Sequence, residues 1–270
     1  IRALALQDDA EARQEYGALR GELKKKIGAD AFAFSDSEDF SYIRTGAEAS
    51  LDWDFDTRIY AYTGAVFIAH DRDSEDVSLD SADHDSAIEG RLGVERRFAT
   101  RWKATAELGG RGWERADDRV LARGVLEYAP DENAVAALEV DHGDQLEHSY
   151  SLESVQQGVG RTGGKLSYWR QLSRAWEGYG EVGGAWLSDS NGEVTMGGSV
   201  AWRPFPAVDV QIAMALDAMH YQDLSPYYYS PDLDLGGTLS MMGRVPIHGA
   251  LAFVFDAGGG AGFSQEQGAS

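Results

Sequence analysis

Polar and apolar residues alternate with a period of two along most of this chain. In TGAEASLDWDF, Ala47, Ala49, Leu51, Trp53 and Phe55 fall on one face, with Glu48, Ser50, Asp52 and Asp54 on the other. In TRWKATAEL, Trp102, Ala104, Ala106 and Leu108 oppose Arg101, Lys103, Thr105 and Glu107. The pattern returns in VTMGGSVAW, where Val194, Met196, Gly198, Val200 and Trp202 line up. In AVDVQIAMALDA, Val208, Val210, Ile212, Met214, Leu216 and Ala218 oppose Asp209, Gln211 and Asp217. A period of two is that of a β-strand with unlike faces. The runs extend over about 9–11 residues, against about five or six in an ordinary globular strand. That is also about the length a tilted strand needs to cross a bilayer with its apolar face toward lipid.

The connections sharpen this picture. Tight turns are expected at DFDT (54–57), FATRW (98–102), APDEN (129–133), LSRAW (172–176) and FPAVD (205–209). Between them lie mostly longer polar links at 70–86, 141–162 and 220–231. Short turns at one end and long loops at the other is the plan of an outer-membrane barrel. Trp53, Phe55, Trp102, Trp169, Trp176, Trp186 and Trp202 sit near strand ends, where an interfacial girdle would place them. About 13 strands are expected from Ala29 onward. An ordinary bacterial barrel closes with an even number, so the last strands are expected to be missing after GGGAGFSQEQGAS. Before Ala29 the period changes. Leu4, Ala12, Tyr16, Leu19 and Leu23 suggest one amphipathic helix over 1–28, with ELKKKIG supplying its C-terminal cations and Gly28 its stop.

Composition excludes several function classes. With 24 basic and 45 acidic residues the net charge is −21, which disfavours nucleic acid and an anionic membrane surface as partners. The chain has no cysteine, hence no disulfide, thiolate nucleophile or Cys-ligated zinc. Its 32 glycines and 11 % aromatics suit an all-β architecture. A soluble β-sandwich or lipocalin-like barrel would also alternate. The strand length, the Gly and Ala on the apolar face and the acids on the polar face argue against it.

Candidate chemistry is sparse. DHGDQLEH (141–148) gathers acids and two histidines in what is expected to be a loop, and could serve a hydrolase or bind a divalent ion. No HExxH, GxSxG or EF-hand spacing accompanies it. GRTGGK (160–165) lacks Walker spacing and is expected to be a turn. No catalytic residue, metal site or cofactor is expected.

A helix of the form AEARQEYGALRGEL leads into a β-domain opening KIGADAFAFSDSEDFSY, and a late loop carries YYYSPD. In this combination the chain resembles the outer-membrane barrels of tetratricopeptide-containing exopolysaccharide exporters of biofilm systems, those for cellulose, poly-N-acetylglucosamine and Pel. The resemblance implies an up-and-down transmembrane barrel of 16 strands over 29–270. It implies a periplasmic tetratricopeptide array ending at 1–28, secretion partners reached through it, and a polysaccharide substrate. If the apolar residues face lipid, then Glu48, Asp52, Asp54, Glu89, Glu95, Glu107, Glu127, Glu139, Glu177, Glu181, Glu193, Asp209 and Asp217 project into the lumen. Arg91, Arg111, Arg123 and Arg203 share that face. Excess carboxylates in a narrow channel attract cations, which favours a Pel-type exporter of an amine-bearing polymer. In SPYYYSP, Tyr227, Tyr228, Tyr229 and Pro231 would form a stiff extracellular loop whose rings stack on sugars or pack on the wall. The alternatives are a hydrolase with its site at Asp141 and His142, and a general diffusion porin.

Overall fold

The structure is a computed structural model describing residues 25–35, 40–70, 84–146, 151–205, 210–248 and 251–265. The first strands are β1 (Lys25–Ser35), β2 (Phe40–Asp52), β3 (Thr57–His70), β4 (His84–Ala99), β5 (Trp102–Trp113), β6 (Arg119–Asp131) and β7 (Ala134–Asp144). A single helical turn, α1 (Leu152–Gln156), leads to β8 (Gly160–Gln171), β9 (Trp176–Leu187) and β10 (Gly192–Phe205). The last strands are β11 (Val210–Tyr221), β12 (Leu233–His248) and β13 (Leu251–Gln265). Among the described residues they form one 13-stranded sheet in which every strand lies beside its sequence neighbours, with β1 and β13 as its two ends. All pairs are antiparallel. The expected number of strands and the up-and-down order are both present.

The expected N-terminal boundary is corrected. Lys25 to Gly28 belong to β1, where Gly28 pairs with Glu48, so Gly28 does not stop a helix. The helix expected upstream, up to residue 24, lies outside the described residues. Residues 160–165 are corrected too: they lie in β8, not in a turn. Likewise β7 runs to Asp144, so the expected loop over 141–162 reduces to the link 145–159.

The strands are 11 to 16 residues long, well above the usual globular length. Their outward apolar residues are bare: Leu92 is 67 % exposed and Leu108 64 %, and Trp53, just past β2, is as open. Met214 and Leu216 are exposed on the same side of β11 as the half-covered Val210 and Ile212. A soluble core would bury these residues, so the sheet presents a continuous apolar exterior.

The tight turns at one end follow from their own side chains. Asp54 accepts a hydrogen bond from the Asp56 amide at 2.8 Å, and Asp131 accepts one from the Asn133 amide at 2.8 Å. Ser173 accepts from the Ala175 amide at 3.2 Å. Such bonds replace the ladder where the chain reverses. Held by the Asp56 amide, the Asp54 carboxyl titrates below the usual carboxylate range. Aromatics gather at this end on the apolar side. Trp102 contacts Phe98 at 6.4 Å and Tyr128 at 4.6 Å, while Trp176 stacks on Trp202 at 5.8 Å. Trp169 is the exception. It pairs with Tyr179 on the polar side of β8, because the adjacent Tyr168 takes the outward direction.

The sheet curls. Side chains from β4 (Arg91) to β12 (Asp234) line one cavity of about 630 Å³, although nine strands laid flat would span about 38 Å at 4.8 Å per step. At the end opposite the tight turns, the polar side carries two hydrophobic clusters. One joins Phe40, Tyr42, Val66, Ile68, Ala87 and Trp113 of the wall to Leu146, Leu152 and Val155 of the β7–β8 link. The other joins Val159, Leu187, Tyr221 and Tyr228.

Candidate functional site

Register partners in an antiparallel sheet point to the same side, so the pairings decide where the predicted acids stand. Glu48 pairs with Tyr62 and Tyr62 with Arg91; Glu89 pairs with Arg111; Glu107 pairs with Arg123 and Arg123 with Asp141. Glu139 pairs with Lys165 and Lys165 with Gly183, while Glu181 pairs with Gly197 and Glu193 with Tyr221. The period of two then brings Asp52, Glu95, Glu127, Glu177 and Asp217 to this same inner side. Asp54 does not join them, since it closes the β2–β3 turn. Asp209 lies outside the described residues.

Most of these acids are neutralised where they stand. Arg58 bonds Asp52 at 2.8 Å, and Lys103 lies between Glu127 at 2.9 Å and Glu95 at 3.5 Å. Arg123 joins Glu139 at 2.6 Å to Glu107 at 3.4 Å, and Arg161 joins Asp141 at 2.6 Å to Glu193 at 3.4 Å. Lys165 meets Glu181 at 3.4 Å, and Arg203 meets Glu177 at 3.2 Å. The inner face is therefore a lattice of both signs. Among the described residues Asp30, Glu48, Asp85, Asp217 and Asp234 of this face stand outside it, without an ion pair. Sequence reasoning missed Arg44, Arg58, Arg161 and Lys165 on this face. Continuing the alternation of Leu166 and Tyr168 backward into GRTGGK was the signal that could have found the last two.

The hub of the lattice is Arg111, fully buried. It donates to both oxygens of Asp144 at 2.8 Å and to Glu89 at 2.7 Å, and its guanidinium lies 5.9 Å from the Trp113 ring centre. Arg44 and Arg91 reach the same Glu89 at 3.0 and 3.1 Å. Arg111 and Glu89 are thus each compensated by more than one partner, and Asp144 by a two-oxygen bond to Arg111, as a low-dielectric setting requires.

Asp144 is also the last residue before the β7–β8 link. From there the link folds inward: Gln145, Leu146, Leu152, Ser154, Val155 and Val159 are all buried. Gln145 donates to the Tyr221 hydroxyl at 3.2 Å, and that hydroxyl donates to Glu193 at 3.2 Å. Ser151 caps α1 by accepting from the Ser154 amide at 3.2 Å. Gly158, at φ 66°, turns the chain back to β8 in a conformation that suits glycine. The link covers the inner wall of β2 to β5 at this end like a stopper.

The tyrosine loop leans on the stopper. Tyr228 is buried; its hydroxyl donates to Asp189 at 2.9 Å and accepts from Asn191 at 3.0 Å. Its ring packs on Tyr221 with centres 5.6 Å apart. Burial pushes its phenol up to about 12. Tyr227 offers its carbonyl to the Ser151 hydroxyl, and the Tyr229 hydroxyl bonds Ser264 of β13. Pro231 is fully buried. Tyr228 is thus a packing residue, while Tyr227 and Tyr229 keep exposed rings.

Asp141 and His142 do not form the pair that the hydrolase candidate needs. Asp141 faces inward and pairs with Arg161, whereas His142 points outward and shares a hydrogen bond of 2.8 Å with Thr162. Adjacent strand residues lie on opposite sides, so the two cannot act together. His148 lies outside the described residues. Among the described residues no cluster of three or more His, Asp or Glu suited to a metal ion occurs.

With the wall, the charge lattice and the stopper in place, the architecture can be compared with known structures. The fold is similar to that of a solved outer-membrane secretin. One match is to a solved structure described as "Bacterial polysaccharide outer membrane secretin", at a TM-score of 0.67 over 88 % of this chain and 78 % of that one. Sequence identity is 14 %, so the likeness is one of fold. No protein-family model matches the sequence, and no curated protein matches it significantly.

Proposed function

We propose that this protein is an outer-membrane pore for export of an exopolysaccharide. The observation that carries the reading is the division of the sheet: bare apolar side chains cover one face, and from β2 to β10 a charged lattice covers the other. Lipid suits the first and a hydrated polymer the second. The fold shared with a polysaccharide secretin supports it. The short-turn end would face the periplasm, where an upstream tetratricopeptide region would hand the polymer over from its secretion partners. The stopper and the tyrosine loop would occupy the outer mouth and gate it.

The finer assignment is to a cationic, amine-bearing polymer of the Pel kind. The net charge of −21 and the acids Asp30, Glu48, Asp85, Asp217 and Asp234, which stand outside the ion pairs, support it. The ion pairs reduce the field to these few carboxylates rather than the thirteen acids read from the sequence. A general diffusion porin would conduct without help, and the buried stopper argues against that. Planar-bilayer recording tests both levels. The intact protein should be nearly silent, and replacing residues 146–158 with a short Gly-Ser linker should open a steady, cation-preferring conductance. A silent linker variant would refute the pore, and an anion preference would refute only the amine-bearing substrate.

A further inference from the structure

Two tyrosines of β3 recline against glycines on the charged face. A Cβ placed on Gly93 would come within 2.2 Å of the Tyr60 ring, and one on Gly46 within 2.1 Å of the Tyr62 hydroxyl. Gly93 is the register partner of Tyr60, and Gly46 lies diagonally across from Tyr62. A glycine leaves a notch there, and the ring fills it with one side on the backbone and the other toward the interior. The two rings then differ. The Arg44 guanidinium stands 5.0 Å from the Tyr62 ring centre and donates to its hydroxyl at 3.1 Å. Tyr60 instead donates its hydroxyl to Glu107 at 2.6 Å, and Arg123 approaches the same carboxylate oxygen at 3.4 Å. Glu107 and Arg123 also line the cavity of about 630 Å³, a volume within the usual range for a small-molecule site.

We propose that Tyr60, Glu107 and Arg123 form a saccharide-binding subsite. This deepens the export reading and rests on it for the substrate class. A pyranose ring has an apolar C–H face that stacks on an aromatic ring, and an equatorial rim of hydroxyls that hydrogen-bond to charged groups. The site offers both at once: a half-buried ring held flat against the wall, with a carboxylate and a guanidinium at its edge. The notch fixes the ring beforehand, so binding loses little side-chain freedom. Tyr60 stands about 10 Å in from the tight-turn end, counting 3.3 Å per residue from Thr57. A polymer entering there meets this subsite before it meets the stopper.

The test is isothermal titration calorimetry of the full chain in detergent micelles, with a β-1,4-glucosamine hexasaccharide and with cellohexaose as probes. At least one sugar should bind. Tyr60→Leu should weaken it about tenfold, Tyr60→Phe should stay within about twofold, and Glu107→Gln should fall between them. Folding is checked by the heat-dependent gel shift of each variant. If Tyr60→Leu does not fold, Tyr60→Trp and Glu107→Gln decide: retained binding in the first with loss in the second supports the subsite. Unchanged affinity in Tyr60→Leu, or in Glu107→Gln, overturns it. Absence of binding by either sugar, both to the intact chain and to the linker variant, overturns it as well. Conductance separates the two readings. A conducting linker variant that ignores both sugars sinks the subsite alone, and a silent one that binds them sinks the pore alone.

Discussion

Arg111 shows how much of the inner face depends on single side chains. Arg111→Met would leave Glu89 and Asp144 buried without their main counter-charge. Loss of one partner of a buried pair costs about 3–5 kcal/mol, and the root of the stopper would loosen with it. Urea unfolding in micelles should show a destabilisation of that order. Tyr228 gives a second residue-level prediction. Its folded phenol titrates near 12, above the ordinary 10.0. The raised value means that the stabilisation is complete below pH about 10 and is lost as the pH rises toward 12. Tyr228→Phe should abolish this alkaline loss, read as protease resistance of the loop against pH. Single residues also mark where the sequence misleads. Trp169 reads as a girdle aromatic, yet its neighbour Tyr168 already holds the outward direction. Two adjacent aromatics cannot share a face, and alternation alone does not say which one yields. Asp141 and His142 fail together for the same reason.

At the scale of elements, the strands and their turns were legible because a period of two and an Asp, Ser or Asn at a reversal are local signals. The pairing of charges was not. Whether Glu107 meets Arg123 depends on the register of β5 against β6, which no single strand encodes. The stopper was illegible for another reason: α1 has one turn, too short to show a helical period, and its apolar residues are buried only because β2 to β5 receive them. Register also predicts a coupling. Gly93→Ala would force the Tyr60 ring out of its notch and cost about 1–3 kcal/mol. Tyr60→Ala in the same chain should recover most of that loss, because the clash needs both partners. Additive losses in a double-mutant cycle would show that the ring does not rest on Gly93.

The whole molecule carries a net charge of −21, and the structure shows how little of it acts freely inside. Ten of the thirteen predicted acids meet a cation or a turn amide in the described structure, which leaves the field to Glu48 and Asp217 from that set, joined by Asp30, Asp85 and Asp234. Combined Asp217→Asn and Asp234→Asn should therefore lower the cation-to-anion permeability ratio of the linker variant by about twofold or more. Neutralising paired acids such as Glu127 should change it less.

The sheet ends on β1 and β13, and that has a geometric corollary. Direction reverses at every step, so the first and thirteenth strands run the same way. Brought edge to edge, they could only meet as a parallel seam. A cylinder that keeps the reversal all the way round needs an odd number of additional staves between them, whatever molecule supplies those staves.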